Sequence, residues 1–481
     1  MAELARLGGV LGCAGLALLL VATRRDLRLA GLAAWGLGVL LLAAYLAPAG
    51  HRPELVAAAV AGIALAAGGA LILIQWPWAL AFATLACVPV RIPVAIGSEE
   101  ANLLLPLYGV AGAGAIALAW ELLRGEERAR ELGTAAGPLA TLVAWLGLTL
   151  LWSDDVRQGS IFLLAFVLPF GLLALGFARL PWHARRLSLL LGALAALAVA
   201  FASIGVFQWL TRDVFWNPKV IVGNAYAPFY RVNSVFWDPS IYGRFLVVAI
   251  LACLALVLLG ARERTLVALV GVIAVSWAGL LFSFSQSSFV ALIAGTLAAA
   301  AIVWRRRAVA AVVLVSTVLL AVGLATPQVR GSLLEESKAG LNQATSGRAG
   351  LVSNGLKIAL DHPVTGVGVG GFKRAYAERT GLKGSEPKKA ASHSTPVTVA
   401  AETGFLGLAL LAWVAWAALV PALRGLRRTD AARASFVVGL TLGAIAVHSI
   451  FYNALFEDPT TWALVGLAAV AGAQRRREAP A

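Results

Sequence analysis

Ser392-His393-Ser394-Thr395-Pro396 joins two segments of opposite character. A polar interval, roughly 327 to 392, runs up to it, and a hydrophobic run begins near Pro396. In a chain that is mostly apolar, this is the longest interval that hydrocarbon cannot hold. It carries Arg348, the turn sequence Pro363-Val364-Thr365-Gly366-Val367-Gly368-Val369-Gly370-Gly371, a basic pair at Lys388 and Lys389, and His393 at the lip of a membrane helix. If the protein does chemistry, this is where it is expected.

Composition sets the frame around that interval. The 481 residues are 60% hydrophobic and 13% charged, with a mean hydropathy of +0.84, well outside globular usage. Apolar runs of bilayer-crossing length recur from end to end. They fall near 7–23, 28–47, 55–74, 78–96, 103–122, 137–152, 160–178, 187–209, 241–260, 265–282, 287–304, 308–325, 396–421, 434–454 and 459–473. A lone run of this kind could be a core helix, but more than ten in series cannot all be core. The reading is an all-α polytopic membrane protein of about 12–15 spans, with a long helical extracytoplasmic loop. Its parts are N-terminal helices at 1–210, an outer loop at 211–240 carrying Arg231, central helices at 241–325, the large loop at 326–394 and C-terminal helices at 395–481. The first run is read as a helix and not as a signal peptide, since no clear small-residue cleavage site follows it.

The net charge of +15 invites a nucleic-acid reading. The arginines argue against it, because they fall mainly in short clusters between apolar runs, where the positive-inside bias puts them. Arg24-Arg25, Arg124 to Arg130, Arg179 with Arg185 and Arg186, Arg262 with Arg264, Arg305-Arg306-Arg307, Arg424 with Arg427 and Arg428, and Arg475-Arg476-Arg477 form the basic set. Between them lie acidic or neutral connections: Glu99-Glu100, Asp154-Asp155, Phe284-Ser285-Gln286 and Glu457-Asp458. If every run crosses, this alternation puts the basic set and the C-terminus inside, and both long loops outside. A net positive outer loop suits a phosphate-bearing lipid or an anionic glycan, although any single lysine there is first of all a solvated surface residue. Cys13, Cys87 and Cys253 all lie inside apolar runs, so neither a ligand set nor a disulfide framework is expected.

Several residues stand out against this background. A neutral imidazole at His393 can accept a proton from a hydroxyl, although such a histidine can equally be a simple interfacial residue. Arg231 precedes the apolar helix that starts at Asp238-Pro239-Ser240, and there it can grip a diphosphate bidentately or merely pair with Asp238. Residues 349–360 carry apolar side chains at helical spacing, which predicts an amphipathic helix ended by Pro363. The glycines that follow allow a tight turn, but no Gly-Lys-Ser/Thr follows and the spacing is not a dinucleotide fingerprint. Ser283-Phe284-Ser285-Gln286-Ser287-Ser288 is a polar patch between two apolar runs. Glu402 lies about two to three turns into the helix after His393, where an ionisable group must face protein or water. His448 is buried or pore-lining for the same reason. No two histidines show metal-ligand spacing.

Taken in order, these residues resemble the O-antigen ligase and O-antigen polymerase superfamily, which are membrane glycosyltransferases of GT-C type. The resemblance rests on Arg231, Asp238-Pro239, Tyr242-Gly243, the serine-rich turn, Gly347-Arg348, Pro363 to Gly368, Ser392-His393-Ser394 and Glu402-Thr403-Gly404-Phe405-Leu406-Gly407. It implies transfer of a glycan from an undecaprenyl-pyrophosphate donor to a hydroxyl of lipid A core or of a second lipid-linked glycan. The expected setting is the outer, periplasmic face of a bacterial inner membrane, with no cofactor, metal or nucleic acid. It implies His393 as the base for the acceptor, Arg231 as a pyrophosphate ligand and Arg348 as a recurrent loop arginine. The family's small polar turn often holds an arginine where Gln286 stands here, which makes Arg244, Arg348, Lys373 and Arg374 candidates for the missing charge. Two other readings compete: a transporter or flippase of lipid-linked glycans, and a peptidoglycan-type glycosyltransferase using a loop carboxylate such as Asp361 or Glu378.

Overall fold

The computed structural model describes the whole chain except residues 48–52, 97–98, 126–130, 216, 227–229, 326–347, 382–391, 425, 427–428 and 479–481. His51, Gly347, Lys388, Lys389 and part of the arginine clusters therefore lie outside the described residues, and so does the side chain of Arg348.

The protein is a polytopic helical membrane bundle. Among the described residues, eleven helices are long and apolar enough to cross a membrane, from Ala2–Val21 to Asp430–Phe451. Pro53–Gln75 is a further apolar helix, and Pro459–Arg477 closes the bundle. Two apolar clusters hold it together. One gathers around the helices Ala2–Val21, Ala136–Thr149, Leu168–Ala178 and Pro459–Arg477; the other gathers around Ala184–Thr211, Pro239–Leu258 and Glu263–Ser283.

Two local departures from the sequence reading have clear causes. The run at 78–96 is expected to cross as a helix, yet helix covers Ala79–Cys87 and an antiparallel hairpin follows, with Ile92 opposite Leu103 and Ile96 opposite Glu99. Pro89 and Pro93 cannot continue a helix, and Val90, Ile92 and Val94 favour extended backbone. A turn is expected at Arg305-Arg306-Arg307 between two crossings, but Gln286–Ala325 is one unbroken helix. No proline interrupts that stretch, and arginine is a good helix former.

The charge alternation becomes a segregation of the two ends of the bundle. At one end Arg25 donates to the carbonyls of Leu122 and Leu123 at 2.7 and 2.6 Å, and Arg475 donates to those of Pro421 and Arg424 at 2.9 and 2.6 Å. Between them, Arg28 pairs with Glu131 at 2.8 Å, and Arg179 pairs with both Glu131, at 2.6 Å, and Glu121. Several of these arginines are thus not loose in a cytoplasmic loop: Arg28 is wholly buried, and its charge is compensated, as burial in an apolar bundle requires. The opposite end gathers Asp154, Arg231, the serine-rich turn, the glycine turn, His393 and the connection at 452–458.

A break in one helix positions that end. Thr395–Leu423 is interrupted at Gly404, whose φ of 71° and ψ of 178° are closed to residues with a Cβ. The break leaves carbonyls of the preceding turn without helical partners, and the glycine turn supplies them. Val367 N–H donates to Ala401 at 2.9 Å, Gly368 N–H donates to Glu402 at 2.8 Å, and Phe405 N–H donates back to Pro363 at 2.8 Å. Gly366, Gly368 and Gly370 all have positive φ, and a Cβ on any of them would lie 2.2–2.3 Å from the backbone of Glu402, Ser153 or Gly159. The helix expected over 349–360 is present as Arg348–Asp361, and it buries Gly355, Ile358 and Ala359 against the Thr395–Leu423 helix and Phe372. Leu356 and Leu360 face outward.

Two stability measurements check these assignments in detergent-solubilised protein. Gly404→Ala meets both a forbidden backbone region and the Val364 carbonyl 2.2 Å away, so its unfolding transition is expected to fall by the equivalent of about 1–3 kcal/mol or more; Gly443→Ala, with 3.7 Å of clearance, serves as the unaffected control. Glu131→Gln leaves two buried guanidinium groups short of a counter-charge and is expected to cost about 3–5 kcal/mol.

Candidate active site

The four non-glycine residues with positive φ among the described residues are Arg212, Ser234, Phe284 and His393, at the end of the bundle that carries the serine-rich and glycine turns. Strain of this kind persists where surrounding structure over-determines it, and each has such a frame. Arg212 stacks over Trp209 and Tyr230, with 4.6 and 5.2 Å to the ring centroids. Ser234 exchanges bonds with the buried Gln208 amide at 2.7 and 2.9 Å. The backbone of Arg231 is clasped by Asn224 at 2.8 and 2.9 Å, and its Nε donates to the Ser283 carbonyl at 3.1 Å. Arg231 is therefore fastened to the serine-rich turn, and not to Asp238, which caps the next helix by accepting from Ser240 N–H at 2.6 Å.

The serine-rich turn is a buried network. Ser285 Oγ bonds Ser287 and Ser288 at 3.2 and 2.8 Å, and Ser287 Oγ lies 3.0 Å from His448 Nε2. Gln286 begins the Gln286–Ala325 helix with an exposed side chain. His448 is fully buried and sits 5.5 Å, ring to ring, from Tyr452.

Arg244 lies on the Pro239–Leu258 helix and is buried. Its Nε pairs with Asp458 at 3.0 Å, and a terminal nitrogen donates to the Ala454 carbonyl at 3.4 Å. The Ala454 bond uses one of the five donors of a guanidinium, and Asp458 supplies the counter-charge. Asp458 has a second duty, since its other oxygen accepts from Thr460 N–H at 2.9 Å and caps the Pro459–Arg477 helix. Arg91, Arg244 and Lys373 all bear on Glu457, yet burial still pushes its carboxyl above the usual range. Burial, followed by Asp238, raises the Tyr452 phenol well above its ordinary value.

Ser392 and Thr395, which flank His393 and Ser394 in the chain, lie in the wall of a cavity of about 190 Å³. Ser392 Oγ bonds the Ser394 carbonyl at 2.8 Å and the Thr398 hydroxyl, and Asn453 donates to that same hydroxyl at 3.0 Å. The histidine loop is thus tied across to the 452–458 connection. Glu402 lines the same cavity, and its carboxylate accepts from Phe372 N–H at 3.3 Å, at the start of the Phe372–Thr380 helix. Asp361 and Glu378 are exposed and ion-paired, with Arg379 and Arg374 respectively.

On the far side of the 452–458 connection lies a groove of about 410 Å³. Leu187, Leu194, Phe245, Val248 and Val437 represent its apolar walls; Arg244 and Asp458 stand at its outer end, and Asp430 and Arg433 at the other.

The structure therefore joins Arg231 to the serine turn, Arg244 to the 452–458 connection, and Glu402 to the cavity that Ser392 and Thr395 of the histidine loop also line. Arg348 begins a helix packed on the Thr395–Leu423 helix. Sequence reasoning missed Arg91, Asn453 and the pairing of Arg244. Two signals were readable: Arg91 is the only charge in the run at 78–96, and Asp458-Pro459-Thr460 repeats the Asp-Pro-Ser start seen at Asp238.

Residues 270–412 match the family model described as O-antigen ligase. The matched span contains Gln286, Arg348, His393 and Glu402, while Arg231 and Arg244 precede it. No curated protein matches the chain.

The double duty of Asp458 is separable. Asp458→Asn retains a good cap but leaves buried Arg244 uncompensated, for an expected loss of about 3–5 kcal/mol. Asp458→Ala is expected to lose roughly 1 kcal/mol more through the cap. Equal losses in denaturant titrations of the two variants would remove the capping role.

Proposed function

With an O-antigen ligase domain at residues 270–412 of a multi-pass membrane protein as the premise, we propose that this chain is a membrane glycosyltransferase. It moves a glycan from an undecaprenyl-pyrophosphate donor to an acceptor hydroxyl, on lipid A core or on a second lipid-linked glycan. The setting is the outer, periplasmic face of a bacterial inner membrane. One observation supports the reading: a long apolar groove ends at Arg244 and Asp458, and a polar cavity lined by Ser392 and Thr395 of the histidine loop begins on the other side of the same connection. That juxtaposition suits a ligand with a hydrocarbon tail and an anionic joint, held next to a pocket for a sugar ring.

The step follows from these groups. His393 takes the proton of the acceptor hydroxyl. The acceptor oxygen bonds to the anomeric carbon of the donor glycan as the bond from that carbon to the diphosphate oxygen breaks. The electron pair leaves on undecaprenyl pyrophosphate, and direct displacement inverts the anomeric centre. Arg231 and Arg244, with Arg348, stabilise the developing charge. Gln286 contributes a hydrogen bond without a charge. Glu402 holds the glycine turn and the Phe372–Thr380 helix over the site. The scheme uses no metal.

The test is purified full-length protein in lipid, given a defined undecaprenyl-pyrophosphate glycan and either lipid A core or a second donor molecule. Core-linked product identifies a ligase, and longer lipid-linked chains identify a polymerase. No new glycosidic bond, with lipid-linked glycan crossing the bilayer, replaces this reading with a transporter. His393→Ala is expected to lower the transfer rate by about 10²–10⁴-fold or more while leaving insertion and the unfolding transition unchanged; wild-type rates would remove His393 from the mechanism.

A further inference from the structure

The cavity beside His393 differs in kind from the groove. Its walls come from separate elements: Gln158 and Phe162 from the Val156–Phe162 helix, Glu402 from the Thr395–Leu423 helix, and Asn453, Phe456 and Glu457 from the 452–458 connection. A π-helical turn, Leu163–Val167, directly follows Phe162, and widened turns of this type recur at functional sites. Phe162 and Phe456 meet edge to face at 5.7 Å, so the aromatic wall is braced.

The lining excludes two occupants. Two carboxylates against Lys373 make the cavity a poor host for a diphosphate, which belongs with the arginines. The polar groups make it a poor host for a polyprenyl chain, for which the groove is better suited. Aromatic faces combined with acceptor and amide groups fit a ring that presents C–H on one side and hydroxyls on the other. A volume of about 190 Å³ gives room for one such ring.

We infer that this cavity holds the terminal sugar ring of the acceptor, with Glu457 accepting from its hydroxyls, Gln158 as a second polar partner and Phe162 and Phe456 packing on its C–H surface. The acceptor is assigned, and not the donor, because Ser392 and Thr395 in the cavity wall flank His393 in the chain, and on the transferase reading the acceptor hydroxyl loses its proton to that histidine. Glu457 and Gln158 are then specificity residues of the transfer. The inference rests on the transferase reading above. Bond-making to the acceptor oxygen is left to His393: Glu457 selects and orients, and exchanges no proton in the step. Both carboxylate oxygens of Glu457 accept from ring hydroxyls, so Glu457→Gln, which turns one acceptor into a donor, removes one of these bonds.

The experiment measures initial rates with full-length protein in lipid, using the undecaprenyl-pyrophosphate glycan and whichever acceptor the wild type extends. Donor and acceptor are varied separately for wild type, Glu457→Gln and Gln158→Ala. The expected result is a rise of about ten-fold in the acceptor KM of each variant, as for one lost buried hydrogen bond, with the donor KM within about two-fold. An unchanged acceptor KM, or a rise in the donor KM instead, overturns the assignment. Gln158→Ala carries the test if Glu457→Gln does not insert, because the described contact of Gln158 is through its backbone N–H, to Asp155. A wild type that forms no glycosidic bond defeats the transferase reading, and the cavity is then judged by binding. Methyl glycosides of glucose, galactose, rhamnose and N-acetylglucosamine are offered to the wild type and to Glu457→Gln. Thermal protection of wild type that Glu457→Gln loses supports a sugar site, and no protection by any of the four ends it.

Discussion

The break at Gly404 is the constraint on which this end of the bundle depends. A continuous helix from Thr395 to Leu423 would satisfy its own backbone and would offer no attachment to the outer loop. Interrupting it frees carbonyls in an apolar surrounding, where unpaired groups are costly. The glycine turn settles that cost by donating Val367 and Gly368 N–H and accepting from Phe405. Loop and helix therefore fold as one unit. Such close contact requires positions without a Cβ, which explains why Gly366, Gly368, Gly370 and Gly404 share one small region.

The second constraint is charge in a medium that rejects it. Arg28 and Arg179 are neutralised by Glu121 and Glu131 at one end, and Arg244 by Asp458 at the other. The two arrangements differ in use. The first welds four segments together. The second stands between a groove and a cavity, with further cationic groups, Arg91 and Lys373, acting on the neighbouring Glu457.

Much of this was legible in the residue order. Apolar runs and alternating charge gave a helical membrane bundle with its basic clusters at one end, and the order of Arg231, Pro363 to Gly368, His393 and Glu402 pointed to the ligase family that matches residues 270–412. Periodicity also found the Arg348–Asp361 helix, but not which side of it would be covered, since Leu356 and Ile358 read alike until a partner is known. The hairpin at 92–103 was hidden because hydropathy cannot tell a strand from a helix; the two prolines were the better guide. Pairings across long sequence separations, such as Arg244 with Asp458 or Thr398 with Asn453, leave no local pattern. A repeated capping signature hinted at one of them.

The groove has a kinetic meaning beyond its shape. A ligand retained along its apolar walls cannot drift far from Arg244, whatever the supply in the surrounding bilayer. Its polar end is then presented to the occupant of the neighbouring cavity at an effective concentration set by the tether, as the second arm of a bivalent ligand is. The head group can therefore be held by individually weak contacts and still be present for most of the time. On the proposed reading, weak contacts at the head also let the spent carrier leave along the groove. Retention and turnover, which oppose each other in a single tight pocket, are here assigned to different surfaces.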